Sequence, residues 1–453
     1  MDTPDHSRGF EARPAKVLKS HSATVKIIAI AVLVLLLLIP ASMISSLISE
    51  REYRKESVVQ EISAKWGGDQ SLIAPYITVP YTITSVTSEG KEVRSTALLY
   101  WLPEALDIQA TLTPEIRYRS IFEAVLYQAT LDVSGHFVLP ALKALEINAE
   151  QVAWDKAELV IGVSDLTGIR SAVELEFAEQ TYEVSPGMRS NNITDTGMHA
   201  RVAVSMEQLT MPFRFRVDLN GSRNLQVVPL GKTTTLDMQA NWPTPSFDGA
   251  FLPVSHNIDK DAFSAQWSML HYTRNYPQVW SQKSYQVRDS ASGVSLIIPA
   301  DPYQKATRLS KYALMLIVFT FAAFFFSEIL NRKRVHPIQY LLVGLAVVLF
   351  YALLIALSEH IDFDLAYGIA AVCVTAMISL YARYSIGSRT FALTLGGILT
   401  SLYLYMYIVL QLQDYALLMG SIGLFLILAL TMYITRHVDW YNLKVDADTQ
   451  TEA

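Results

Sequence analysis

The chain has 453 residues, 51% of them hydrophobic and 17% charged, with a formal net charge of −6 and a mean hydropathy of +0.26. Soluble domains carry roughly 25% charged residues, so the composition argues against a wholly soluble protein. The acidic balance argues against a nucleic-acid partner, which needs a basic patch. A lone cysteine, Cys373, rules out a disulfide framework within one chain.

The first strong signal is an apolar run from Ile27 to Ile48, approached by Arg8, Arg13, Lys16, Lys19 and Lys26. About 20 apolar residues span a bilayer as a helix, because every backbone polar group is then satisfied within the segment. Pro40-Ala41-Ser42 offers a small-residue cleavage site, but the run is longer than the 7–15-residue core of a signal peptide. It also leads into Val58, Val59, Ile62 and Trp66 at helical spacing, with Gly67-Gly68 as a stop. The expectation is an uncleaved anchor that continues as a helix.

The interval from 49 to 310 then alternates with period two. Phe213, Phe215, Val217 and Leu219 alternate with Arg214, Arg216 and Asp218, and Asn220-Gly221 follows as a hairpin signal. Leu236, Met238, Ala240 and Trp242 repeat the pattern, as do Tyr127 to Val133, Leu159 to Val163 and Phe263 to Met269. One apolar and one polar face per strand predicts an antiparallel, sandwich-like β-rich domain.

Five more apolar runs follow, at about 311–330, 340–358, 365–384, 390–412 and 415–435. The loops between them alternate in sign. Arg332, Lys333 and Arg334 precede the third span, and Glu359, His360, Asp362 and Asp364 follow it. Arg383 and Arg389 bracket the next loop, Asp414 marks the one after, and Arg436 and Lys444 follow the last run. Basic loops remain in the cytoplasm. The expected layout is six transmembrane helices with both termini inside and the large β-rich domain outside, inserted between helices 1 and 2. Its divisions are a tail at 1–25, helix 1 at 26–48, the domain at 49–310, helices 2–6 at 311–435 and a tail at 436–453.

Motifs for chemistry are sparse. Gly231-Lys232-Thr233 has Gln226 where a phosphate loop needs its first glycine. The histidines, among them His136, His199, His256 and His271, form no metal-ligand pair, and no Gly-x-Ser-x-Gly turn is present. No catalytic, cofactor or metal residue is expected. Lys26, Lys311, Glu328, Glu359, Asp414 and Arg436 all fall near segment ends, which weighs against a proton pathway. Gly396-Gly397, Gly420 and Gly423 are expected to let helices pack closely. The one local cluster to watch is Glu359, His360, Asp362 and Asp364, against a reading as a solvated acidic loop. Arg332, Lys333 and Arg334 read as topology determinants, with anionic headgroups as a secondary contact.

Several strings resemble the CreD family of bacterial inner membrane proteins: Trp101-Leu102-Pro103-Glu104-Ala105-Leu106, Asn241-Trp242-Pro243-Thr244-Pro245-Ser246-Phe247, the stretch His336 to Leu345, Lys311-Tyr312-Ala313, Leu357-Ser358-Glu359-His360 and Asp439-Trp440-Tyr441. The resemblance runs from about Lys26 to Tyr441. It implies a cell-envelope integrity protein of the inner membrane, linked to stress response, with no established catalytic residues. The expected function is therefore non-catalytic binding or sensing through the β-rich domain, with the bilayer and an envelope component or another membrane protein as partners. Lipid handling or transport by the last five helices is the alternative, and an enzyme acting on cell-wall or lipid substrates a third.

Overall fold

The computed structural model describes residues 22–86, 92–298, 302–330, 335–412 and 415–436. The chain divides into two compact units, Met1–Tyr53 with Ala300–Ala453, and Arg54–Pro299.

Helix α1 (Ser22–Trp66) is unbroken for 45 residues despite Pro40 within it. A proline removes one ladder hydrogen bond, and membrane helices tolerate the loss better than soluble ones. Gly67 ends the helix with φ +136, and a Cβ there would lie 2.5 Å from the Asn220 carbonyl oxygen. The expected helical continuation and its glycine stop are thus both present.

The β-rich unit follows, with seventeen strands among the described residues: β1 (Gln70–Val86), β2 (Glu92–Trp101), β3 (Ala105–Arg119), β4 (Phe122–Val138), β5 (Glu158–Val163), β6 (Glu174–Phe177), β7 (Gln180–Glu183), β8 (Ser185–Pro186), β9 (Gly197–Arg201), β10 (Thr210–Ser222), β11 (Asn224–Val228), β12 (Thr233–Ala240), β13 (Pro245–Gly249), β14 (Ser255–Ile258), β15 (Phe263–Leu270), β16 (Val279–Ser281) and β17 (Ser292–Leu296). One sheet has nine strands, in the order β13-β17-β11-β1-β5-β9-β8, with β2 and β16 branching from β1. The other has eight, in the order β14-β15-β12-β3-β4-β10-β6-β7. Both sheets feed one hydrophobic cluster, to which β1 and β2 bring Ile77 and Trp101, and β4 and β15 bring Tyr127 and Trp267.

Two expectations are corrected. The sheets are not purely antiparallel, because β1 runs parallel to β11 and β3 parallel to β12. Parallel neighbours need a long crossover, and the many strands between each pair supply it. Asn220-Gly221 is also no hairpin turn. It lies inside β10, where Gly221 pairs with Tyr127. A Cβ at Gly221 would lie 2.3 Å from the Tyr127 ring, so the glycine admits a side chain and does not reverse the chain. The bend falls at Arg223 (φ +57), and β11 departs to the other sheet.

In the helical unit, α2 (Pro302–Ser310) and α3 (Ala313–Leu330) meet at a 54° bend. Then come α4 (Pro337–Ser358), α5 (Phe363–Ile386), α6 (Arg389–Gln411) and α7 (Ala416–Thr435). The five expected apolar runs agree with α3 to α7 within three residues at either end. Among the described residues, four helices are long and apolar enough to cross a membrane, or five if the bent pair is one span. That stands beside the expected six. The helix starts have local causes. Pro337 sits at the first position of α4, and His336 and Gln339 form a capping box. Asp362 and Ser388 cap α5 and α6 by accepting from Asp364 N and Phe391 N, and Gly387 closes α5 in the left-handed region. Of the four glycines expected at helix contacts, Gly396 faces Ser379 and Gly423 faces Tyr405, while Gly397 and Gly420 have open space. A close approach at Gly344 of α4, against Leu37 and Phe321, was not expected from sequence.

Candidate binding face and polar clusters

In the helical unit the watched loop is absorbed by structure. Glu359 accepts from the Tyr303 hydroxyl at 3.1 Å and lies 3.8 Å from the Arg51 guanidinium. Asp362 caps α5. Asp364 accepts from Gln411 at 3.0 Å and pairs with Lys305 at 3.5 Å. His360 is exposed. The loop is thus a fastening point for α1, α2, α5 and α6. Arg332, Lys333, Arg334 and Asp414 lie outside the described residues.

A second cluster had no signal in the sequence beyond two charges near segment ends. Lys26 of α1 forms an ion pair with Glu328 of α3. The Glu328 carboxylate also accepts from the Tyr340 hydroxyl of α4 at 2.9 Å and from Val335 N at 3.2 Å. Lys26 completes the knot by donating to the Val335 carbonyl at 3.0 Å. The Glu328 side chain is only 10% exposed, so its charge needs every one of these partners.

Between α5 and α6 an apolar groove of about 500 Å³ is lined by Tyr367, Gly368, Val372, Thr375, Tyr403 and Leu404, among others. Behind it Phe350 is ringed by Tyr351, Tyr367 and Tyr403, with centroids within 5.4 Å. Tyr367 donates to the Tyr403 carbonyl at 2.7 Å. The buried hydroxyls of Tyr351 and Tyr403 have no partner among the described residues.

The β-rich unit behaves differently. Alternation sends Ile108, Leu131, Leu236 and Trp267 into the core and leaves their polar neighbours on the other face of the eight-stranded sheet. The register aligns those neighbours into rows across the strands. Ser255 of β14 faces Gln266 of β15, which faces Asp237 of β12. Asp237 faces Gln109 of β3, which faces Asp132 of β4. Two residues along, Asn257, Ser264, Gln239 and Thr111 form a second row. Together they floor a cleft of about 520 Å³.

Asp132 closes one end of the first row. Arg216 grips it through two hydrogen bonds of 2.9 Å, and this holds its carboxyl below the usual carboxylate range. Gln239 donates to Thr111 at 3.0 Å and Asn257 to Asp259 at 3.1 Å. The side chains of Gln109, Asp237, Ser255, Ser264 and Gln266 have no hydrogen-bond partner among the described residues. His256 stands at the β14 side, its ring 5.3 Å from that of Phe247.

The other motifs resolve into structure. Lys232 pairs with Glu104 at 2.6 Å, and Thr233 begins β12. The His199 ring lies 2.8 Å from the Gly187 carbonyl. Among the described residues no group of three or more His, Cys, Asp or Glu side chains is placed to hold a metal ion. Trp101 and Trp242, which anchor two of the family-like strings, are core residues. Trp101 packs edge-on to Phe137 at 5.2 Å, and Trp242 donates to the Ile297 carbonyl at 3.2 Å.

Several apolar helices together with a large β-rich unit that precedes most of them define a multi-pass membrane protein. A family model described as "Inner membrane protein CreD" matches residues 22–441. A curated relative from Escherichia coli (strain K12), "Inner membrane protein CreD", is 33% identical over 420 residues, covering 91% of this chain and 92% of that protein. The chain belongs to the CreD family of inner membrane proteins. Among solved structures, native yeast LTA4 hydrolase is similar at 9% identity with a TM-score of 0.19. That similarity covers 49% of this chain, which spans 35% of the hydrolase's length.

Proposed function

We propose that this protein contributes to envelope integrity and stress response by non-catalytic binding or sensing through the β-rich unit. In this reading six helices anchor it, both termini are cytoplasmic, and a two-layer, sandwich-like β domain lies in the periplasm. The observation that carries it is the polar cleft on the eight-stranded sheet. Five of its side chains are unpartnered, whereas the charged clusters of the helical unit are closed on themselves.

Reporter fusions at Asp195 and Gln413 should report periplasm, and one at Arg334 cytoplasm; any reversal would sink the orientation. A photo-crosslinking residue placed at Gln239 in intact cells should capture an envelope component that the same residue at Glu183 does not. Equal labelling from both positions would remove the cleft as the binding face.

The groove between α5 and α6 favours a second reading, lipid handling by the helical unit, because its apolar lining includes Tyr403, whose buried hydroxyl has no partner among the described residues. A bulky Gly368→Trp substitution that abolishes the envelope phenotype while leaving Gln239 crosslinking intact would transfer the function to that groove.

A further inference from the structure

We infer that the cleft on the eight-stranded sheet is a site for an uncharged oligosaccharide in extended conformation, lying across the strands along the row Gln266–Asp237–Gln109–Asp132. The inference rests on the reading of the β-rich unit as a binding module and names its ligand class.

The chemistry of the row selects the ligand. Four planar side chains alternate as amide, carboxylate, amide, carboxylate, in direct register on four neighbouring strands. An amide donates and accepts, and a carboxylate accepts at two oxygens. Gln266, Asp237 and Gln109 are each a two-pronged partner for the vicinal hydroxyls of a sugar ring, while both Asp132 oxygens already accept from Arg216 and close the end of the row. Neighbouring strands lie about 4.8 Å apart, so the row repeats at close to the length of one pyranose unit in an extended chain. The second row adds Ser264 and Gln239 alongside, which allows hydrogen bonds from both edges of each ring.

The same features exclude other ligands. Among the described residues no lysine or arginine lines the cleft, Arg216 being engaged by Asp132 at its end, and the open Asp237 carboxylate repels a polyanion such as nucleic acid or a phosphorylated glycan. A peptide bound as an added strand would use the edge strand β14, and would want apolar pockets for alternate side chains. The exposed floor of the cleft is polar. An ordinary solvated sheet face offers the contrast. On β10 of the same sheet, Arg216 is paired with Asp132, and Asp218 accepts from Thr130 and Ser171. In the cleft Gln109, Asp237 and Gln266 are left open.

The test uses the full-length protein in lipid nanodiscs, free of glycoside detergents whose headgroups would compete. The probes are a β-1,4-linked N-acetylglucosamine tetramer and maltotetraose, titrated by calorimetry and by ligand-observed NMR. At least one should bind saturably. Gln109→Ala with Gln266→Ala should weaken that binding about tenfold or more, as expected when two hydrogen-bonding partners of a bound ligand are removed. Glu176→Gln on β6 should leave it unchanged. All three forms should keep the same circular dichroism and thermal midpoint, since the altered groups are exposed and unpaired. Absence of saturable binding by both probes would overturn the inference, as would binding indifferent to the double variant. So would a peptide that binds and is displaced only by changes in β14. Site-specific crosslinking at Gln239 with no oligosaccharide binding would reject the glycan and leave the binding-module reading standing.

Discussion

In the helical unit Glu328 accepts hydrogen bonds from Lys26, Tyr340 and Val335 at once, and Glu359 and Asp364 are each engaged by two side chains. In the β-rich unit Gln109 sits in register between Asp237 and Asp132, and its side chain has no hydrogen-bond partner among the described residues. The contrast follows from solvent. The Glu328 and Glu359 carboxylates, 10% and 11% exposed, have little water to fall back on and must be satisfied by protein. An amide on an open sheet face is satisfied by water, which a ligand can displace. Polar groups buried among the helices therefore hold structure together, and the open part of the polar row on the sheet is available for recognition.

The largest expected effect tests the first half of that contrast. Glu328→Leu removes the charge from the knot and strands Lys26, the Tyr340 hydroxyl and Val335 N together. Breaking a buried pair costs about 3–5 kcal/mol, so hydrogen exchange in α1, α3 and α4 should accelerate sharply in the variant. Gln109→Ala, on the sheet face, should stay within about 0.5 kcal/mol of the parent. Comparable losses from the two changes would erase the distinction between the regions.

How much of this was legible in the sequence depends on how far apart the partners lie. Apolar runs and period-two alternation are local, so the helices and the inward set from Phe213 to Leu219 could be read directly. The charge alternation of the loops was local too, and it drew attention to Glu359 and Asp364 without revealing that they fasten helices. Contacts between distant segments were not readable. Lys26 meets Glu328 across 302 residues, and Gln239 meets Thr111 across 128. The polar rows arise only because β12 inserts beside β3 in parallel, a pairing that no turn signal announces. Asn220-Gly221 misled for a related reason. Its glycine is demanded by Tyr127, roughly a hundred residues upstream, and the local turn chemistry was irrelevant.

That position supplies a middle-sized prediction within the β-rich unit. Gly221→Ala places a methyl group where the Tyr127 ring lies, and Tyr127 is fully buried with its hydroxyl donating to the Asn224 carbonyl at 2.6 Å. Overpacking of this kind costs about 1–3 kcal/mol. Six of the seven tryptophans lie between residues 66 and 280, so denaturant unfolding followed by tryptophan fluorescence reports this unit. An unchanged midpoint would mean that the strand can bend away from Tyr127, and that the glycine is dispensable there.

The smallest effect separates the closed end of the polar row from its open part. Asp132 and Arg216 form a bidentate pair whose side chains are 32% and 60% exposed, and exposed pairs contribute about 0–1 kcal/mol. Asp132→Asn should therefore lower stability only slightly at neutral pH. The Arg216 hydrogen bonds hold the folded carboxyl below its unfolded value of about 3.9, so the stabilisation is complete above that value. It fades as pH falls through the lower folded value, where the folded carboxyl also takes up a proton. The difference between parent and variant should accordingly be present at pH 7 and shrink below about pH 4. A gap that persists into acid would mean that the Asp132 side chain acts through packing, and the row would then have no electrostatic anchor at that end.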